Sequence, residues 1–221
     1  SPTPFSSFLK NRDKFVISAS PERFLAKRGK TLVSQPIKGT AARGKDPQED
    51  EELRNNLANN PKEIAENVMI VDLVRNDLTR SAIPGTVEVT EKLGIYTFEH
   101  VHQMISTVSC QMDEKLSDTQ VIRNTFPAGS MTGAPKISAM KLCDRYETSR
   151  RGVYSGAIGY FSPDGDFDFN VVIRTILFNK TQKYLSFHTG SAITVDANAA
   201  YEFAECYTKA SAILKALEQK L

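Results

Sequence analysis

Four carboxylates stand out by spacing: Glu63 and Glu66 in "KEIAEN", Glu202 and Glu205 in "YEFAECYTKA". Residues three apart are neighbours on a helix, so each pair shares a face, and Lys209 continues the Glu205 face one turn later. The plain alternative is two solvated acidic faces. Against it, Tyr201, Phe203, Ala204, Cys206 and Tyr207 flank the second pair, and the first precedes "NVMIV". Half-buried carboxylate pairs repel unless neutralised, and magnesium, a hard cation that takes oxygen ligands and keeps waters, is a natural partner.

Four other features carry possible chemistry. Lys38 in "SQPIKGTAARG" lies between Pro36 and Gly39-Thr40, where the chain leaves a strand; it is either a solvated loop charge or a nucleophile at a site's edge. "PAGSMTGAPK" frames Ser130 and Thr132 between Gly129 and Gly133 ahead of a helix. Its N–H groups and hydroxyls suit an anion or merely cap the helix, and the P-loop spacing is not met. "HTGSAITVD" is a second small-residue turn. Arg174, inside "NVVIRTILF", needs an anion, either a ligand carboxylate or an internal salt bridge. His100 and His102 form H-x-H, which on a strand puts both rings on one face; zinc lacks a third ligand at suitable spacing, so a hydrogen-bonding role for one histidine is favoured.

The elements that must position these residues follow from turn and cap signals. "KFVISASPERFLAKRGKTLVSQPI" divides into two or three short strands. Asp46-Pro47 opens an acidic helix to about Asn59, and Asn60-Pro61 starts another with Ile64, Val68, Val71 and Leu78 on its apolar side. "GTVEVTEKLGIYTFEHVHQMISTVSCQM" reads as strands, and "SDTQVIRNTF" as a short helix capped by Ser117 or Asp118. A helix from about Ala134, a run of strands with an Asp-Gly turn at 164–165, and a long helix from about Asn198 to Leu217 complete the chain. Runs of strands with inserted helices predict an α+β fold with mainly antiparallel sheets.

The 221 residues suffice for one sizeable core, and a formal net charge of +2 without a basic stripe argues against nucleic-acid binding. No apolar run reaches membrane-spanning length and no signal peptide is evident. The start "SPTPFSSFLKNRDK" reads as the middle of a longer protein. Cys110, Cys143 and Cys206 are odd in number and far apart, which fits a reducing cytoplasm better than a disulfide framework. None sits in a G-x-C-x-G elbow, so glutamine hydrolysis is expected elsewhere.

The segments "SPERF" (20–24), "PIKGT" (36–40), "ENVMIVDLVRND" (66–77), "FPAGSMTGAPKISAM" (126–140), "GVYSGAIGYF" (152–161), "VVIRT" (171–175) and "YEFAECYTKA" (201–210) together resemble the chorismate-utilising enzymes. That family contains anthranilate synthase component I, aminodeoxychorismate synthase component I and the isochorismate and salicylate synthases. The resemblance implies two large, mainly antiparallel sheets packed face to face with outer helices. Residues 1–221 would be the C-terminal part of one catalytic domain, its first strands and any regulatory region absent. It implies a site for chorismate and Mg2+, with Glu66 and Glu205 as direct metal ligands and Glu63 and Glu202 behind them. Thr40, Ser130, Gly133, Tyr154, Arg174, Gly190 and Lys209 match substrate-binding positions, and His102 matches a histidine beside the leaving hydroxyl. The family's G-x-G reads Gly190-Ser191-Ala192 here, and Ala192 narrows a spot where backbone meets ligand.

Lysine at 38 resembles the aminodeoxychorismate-forming branch, whereas anthranilate synthases generally carry alanine there. The implied chemistry is covalent: Glu22 protonates the departing C4 hydroxyl, the neutral Lys38 amine attacks C2, and ammonia from a glutamine amidotransferase subunit enters at C4. Anthranilate or isochorismate synthesis, and a chorismate-binding fragment without activity, are the alternatives. 

Overall fold

The structure, a computed structural model, describes residues 3–195 and 197–218. Along the chain come β1 (Phe5–Asn11), β2 (Lys14–Ser20), β3 (Arg23–Arg28), β4 (Thr31–Gln35) and β5 (Ile37–Ala42). Two helices follow, α1 (Pro47–Ala58) and α2 (Pro61–Thr79), then β6 (Glu88–Thr97) and β7 (Val101–Gln111). After α3 (Asp118–Thr125) and α4 (Lys136–Tyr146) come β8 (Ala157–Phe161), β9 (Phe167–Val171), β10 (Thr175–Asn179) and β11 (Tyr184–Phe187), and the long helix α5 (Ala199–Glu218) ends the described chain. The fold is α+β, with one four-stranded and one seven-stranded sheet. No described helix is long and apolar enough to cross a membrane.

Two compact units divide the chain. The first comprises the residues up to Pro21, Arg151–Ile158 and those from Asn170 onward; the second comprises Glu22–Arg150 and Gly159–Phe169. The first holds the sheet ordered β1-β2-β10-β11, whose pairings are antiparallel. The strand β1 was not expected from its sequence. "FSSFLKN" lacks β-branched residues, and the strand exists because Arg12-Asp13 turns it back onto β2 in register from Phe5↔Ser20 to Asn11↔Lys14.

The second unit is built around the sheet ordered β5-β7-β4-β3-β9-β8, with β6 also pairing with β7. Strand β7, bordered by β4, β5 and β6 through antiparallel ladders, is buried along almost its whole length, as a central strand must be. Leu25, Leu32, Leu78, Met104, Val108, Val121 and Phe167 are fully buried here.

The helix starts are written in their caps. Asp46 accepts the N–H groups of Gln48 and Glu49 ahead of Pro47, and Asn60 accepts those of Lys62 and Glu63 ahead of Pro61. Ser117 and Gln120 close a reciprocal capping box on α3. The buried stripe of α2 is Asn67, Ile70, Val71, Leu73, Val74, Asp77 and Leu78. Val68, expected on the apolar side, is exposed, and Ile64 is only half-buried. The stripe is shifted because Asn67 and Asp77, both polar, face inward and find partners there.

Candidate active site

Lys38 is not on a loop but is the second residue of β5, at an irregularity in the ladder with β7 between Ile37↔Ile105 and Thr40↔Gln103. A bulge of this kind re-aims a side chain without ending the strand. Gly39 makes it possible: its φ is +93°, and a Cβ there would lie 3.0 Å from Leu57 Cδ1 and 3.3 Å from Glu63 Oε2. Glycine is needed both for the left-handed backbone and for this approach. Lys38 Nζ lies 3.6 Å from Glu66 Oε2, with both side chains largely buried. Lys62 Nζ lies 4.0 Å from the other Glu66 oxygen.

Glu22 precedes β3 and is 6% exposed. Arg23 beside it is anchored by paired 3.0 Å hydrogen bonds to Asp168 and by a 2.6 Å bond to Gln35. Burial raises the Glu22 carboxyl to about 7 from an ordinary 4.5, against the opposing pull of the Ser130 hydroxyl, the Lys38 charge and the Ile37 N–H. A carboxyl of this kind can hold and give up a proton near neutral pH. Ser130 approaches Glu22 from the glycine turn, a short 3-10 segment, Gly129–Met131, but its buried hydroxyl completes no hydrogen bond among the described residues. Lys136 pins that turn: its ammonium donates to Asp77 Oδ2 at 2.6 Å, Pro127 O at 2.6 Å and Thr125 O at 3.2 Å. All three of its donors are used inside the fold, so it serves the turn rather than an anion. Pro135 is the N-cap of α4 and not its first turn. Gly133 lies in the same connection, and Thr40 is exposed on β5.

His102 is fully buried, and both ring nitrogens are taken, Nδ1 by Thr97 Oγ1 at 2.9 Å and Nε2 by Asp50 Oδ1 at 3.0 Å. Asp50 also accepts two bonds from Arg43, at 2.7 and 2.8 Å, and the Gly44 N–H. Those bonds, Arg43 first, hold the Asp50 carboxyl well below the usual range. As it stands, His102 ties β7 to α1 and has no ring nitrogen left for a ligand. His100 lies outside β7 and is exposed, so the two histidines do not share a strand face. Gln103 was overlooked from the sequence. It is directly opposite Thr40, and opposed residues present their side chains to the same face. The only sequence signal was period-two alternation, which needs the register to be useful.

In the first unit, Arg174 sits between β9 and β10 with φ +52°, a left-handed conformation unusual for a side-chain-bearing residue and a mark of local constraint. Its Nη1 donates to Lys209 O at 2.8 Å. Burial works against its charge, opposed by Tyr154 and Glu205. Among the described residues no carboxylate lies within ion-pair distance of it, so the internal salt bridge considered above is not formed. Lys209 Nζ bonds Glu205 at 2.6 Å and donates to Gly190 O at 2.9 Å. A Cβ on Gly190 would come within 3.1 Å of the Tyr154 hydroxyl oxygen. Tyr154, Arg174, Gly190, Glu205 and Lys209 therefore form one cluster. Glu202 is 3% exposed, yet the flanking Tyr201, Phe203 and Tyr207 are 60% exposed or more. The reason given for burying the second pair thus fails although the carboxylate is buried: α5 turns Glu202, Ala210 and Ile213 inward, which puts the aromatics on its other side.

Each unit presents one E-x-x-E pair of hard oxygen donors, which fits magnesium in ligand type. Among the described residues no group of three or more potential ligands is assembled. All three cysteines are free, and burial raises the Cys110 thiol to about 11.

The model of a family described as chorismate binding enzyme matches residues 1–215. Aminodeoxychorismate synthase component 1 of Salmonella typhimurium is 42% identical over 97% of this chain and 47% of its own length. Anthranilate synthase component 1 of Thermus thermophilus is 39% identical over 98% of this chain and 46% of its own. The crystal structure of anthranilate synthase component I from Streptococcus pneumoniae superposes with a TM-score of 0.84 at 33% identity, covering 96% of this chain and 46% of that one. The chain spans about half the length of these relatives. Identities of 42% and 39% do not separate the two activities, so the distinction rests on individual side chains.

Proposed function

The chain belongs to the chorismate binding enzyme family, and from that premise we propose that it carries the catalytic groups for amination of chorismate to 4-amino-4-deoxychorismate. The observation that carries this reading is the buried Glu22 carboxyl, raised to about 7 and next to Lys38. A proton donor beside an amine is what the covalent route requires. The Lys38 ammonium first gives a proton to solvent; the resulting amine forms a C–N bond at C2, the ring double bonds shift, and the C4–O bond breaks as Glu22 gives its proton to the oxygen, which leaves as water. Ammonia then bonds C4, the double bonds shift back, the C2–N bond to Lys38 breaks, and a proton returns to Glu22. Ser130, whose buried hydroxyl has no partner among the described residues, offers a hydrogen bond to the substrate, and Gly133 leaves room in the same turn. Arg174 and Tyr154 receive the enolpyruvyl carboxylate.

Magnesium, when bound, would hold the ring carboxylate and increase electron demand in the ring. Within its own unit each E-x-x-E pair, Glu63 and Glu66 on α2 and Glu202 and Glu205 on α5, would offer oxygen donors to such an ion. The relatives named component 1 support a separate glutaminase as ammonia source. Three free cysteines are compatible with a reducing cytoplasm. His102, both nitrogens spent, has no step in this reading.

The test is product analysis with chorismate, ammonium and Mg2+. The wild-type chain, within its full-length protein, is expected to yield aminodeoxychorismate, and Lys38→Ala to lose on the order of 10³-fold or more in rate. Anthranilate from the wild type, or near-normal aminodeoxychorismate from Lys38→Ala, would refute the covalent assignment.

A further inference from the structure

One side chain of the first unit is left out of the chemistry above. His188 follows β11 and starts the turn that leads to Gly190. Its ring stacks on Tyr154, with centroids 5.4 Å apart and planes inclined by 19°. Two residues on, Gly190 approaches the Tyr154 hydroxyl and hands its carbonyl to Lys209. The ring therefore stands inside the cluster that Arg174 and Tyr154 define. His188 as a whole is half-buried, so part of the ring is open, but its Nδ1 is closed off and has no hydrogen-bond partner among the described residues.

That asymmetry fixes the tautomer. A hydrogen on Nδ1 would be a buried donor without an acceptor, whereas a bare lone pair there is the lesser cost, because unsatisfied N–H groups are rarer in folded proteins than under-used acceptors. The hydrogen then belongs on Nε2, and the stack on Tyr154 holds the direction of that N–H. Stacked on the Tyr154 that Arg174 also faces, a fixed N–H donor complements an oxygen bearing negative charge or a lone pair.

We propose that His188 is a further substrate-recognition residue, donating from Nε2 to a carboxylate or ether oxygen on the enolpyruvyl side of the substrate. This rests on the reading that the cluster receives chorismate. Gln and Asn separate the two ring nitrogens: the Gln amide reaches about as far as Nε2, the Asn amide only as far as Nδ1. His188→Phe keeps a planar ring for the stack and removes both nitrogens.

The experiment is calorimetric titration of the full-length protein with chorismate and Mg2+, with KM and kcat measured in parallel and imidazole ¹⁵N spectra recorded on the wild type. His188→Gln is expected to bind within about threefold of wild type. His188→Asn and His188→Phe are expected to weaken binding about tenfold, roughly one hydrogen bond, with KM moving more than kcat. The His188 ring is expected to carry its hydrogen on Nε2. Wild-type affinity in His188→Phe, equal losses in Gln and Asn, or a hydrogen on Nδ1 would overturn the proposal. A wild type that binds chorismate without making aminodeoxychorismate would sink the functional reading and leave the His188 comparison standing on affinity. A wild type that does not bind chorismate would overturn both.

Discussion

Burial does opposite work on the charged groups of the two units. In the second, it presses on a carboxyl, and Glu22 answers by keeping its proton to about 7. In the first, it presses on a guanidinium, and Arg174 cannot answer that way, because arginine does not discharge in proteins. One environment creates a movable proton and the other creates a demand for an anion. The neighbours match: Lys38 and Glu66 stand 3.6 Å apart as groups that can exchange partners, while Lys209 is held from two sides, by Glu205 and the Gly190 carbonyl. The second unit carries the groups suited to reaction, and the first those suited to recognition.

The sharpest way to break this division is to remove the demand for an anion. Arg174→Ala should raise KM for chorismate by about 10²-fold with a much smaller change in kcat, the usual scale for a desolvated charge pair. Arg174→Lys should recover only part, since an ammonium cannot reproduce the planar fork. A loss confined to kcat would reassign Arg174 to the reaction.

The next effect is read from pH. As a general acid Glu22 works protonated, so its own contribution to the pH–rate profile is a loss of tenfold per unit above about pH 7. The same shift costs stability. The folded-state value, about 7, lies above the ordinary 4.5, so no cost exists below 4.5, it grows between 4.5 and 7, and it is complete above 7, at roughly 3 kcal/mol. Glu22→Gln should therefore be inactive yet more stable than wild type at pH 8, and no more stable at pH 4. Chemical denaturation at both pH values checks it; equal stability at pH 8 would mean the carboxyl is not raised.

What the sequence disclosed follows from range. Caps and proline positions act over three or four residues, so the starts of α1, α2 and α3 were readable from Asp46, Asn60 and Ser117. The E-x-x-E spacing likewise needs only a helix. Whatever depended on a partner distant in the chain was not readable. Strand β1 exists through its register with β2, the inward face of α2 is set by where Asn67 and Asp77 find partners, and the exposed Tyr201 and Phe203 looked like core because composition does not say which side of α5 is covered. Lys38 reads as a loop residue from sequence alone because the irregularity between Ile37 and Thr40 exists only in the ladder with β7. Local physics left that lysine ambiguous, and family order gave it a role before any distance did.

Adjacent residues of β7 provide the smallest and most discriminating test, because neighbouring positions on a strand face opposite ways. His102 spends both nitrogens on Thr97 and Asp50, while Gln103 shares its face with Thr40. His102→Phe should lower stability by about 1–2 kcal/mol, through two lost hydrogen bonds in a buried position, with kcat within a few-fold of wild type. Gln103→Ala, also at a buried position, should lower stability by about 1–2 kcal/mol as well but move the kinetics with chorismate by up to about tenfold, the scale of one hydrogen bond to substrate. The two variants measured side by side, by unfolding and by turnover, decide which face of the strand meets the substrate. If His102→Phe loses turnover at full stability and Gln103→Ala does not, the faces are reversed, and the ring of His102 must leave Asp50 to reach its ligand.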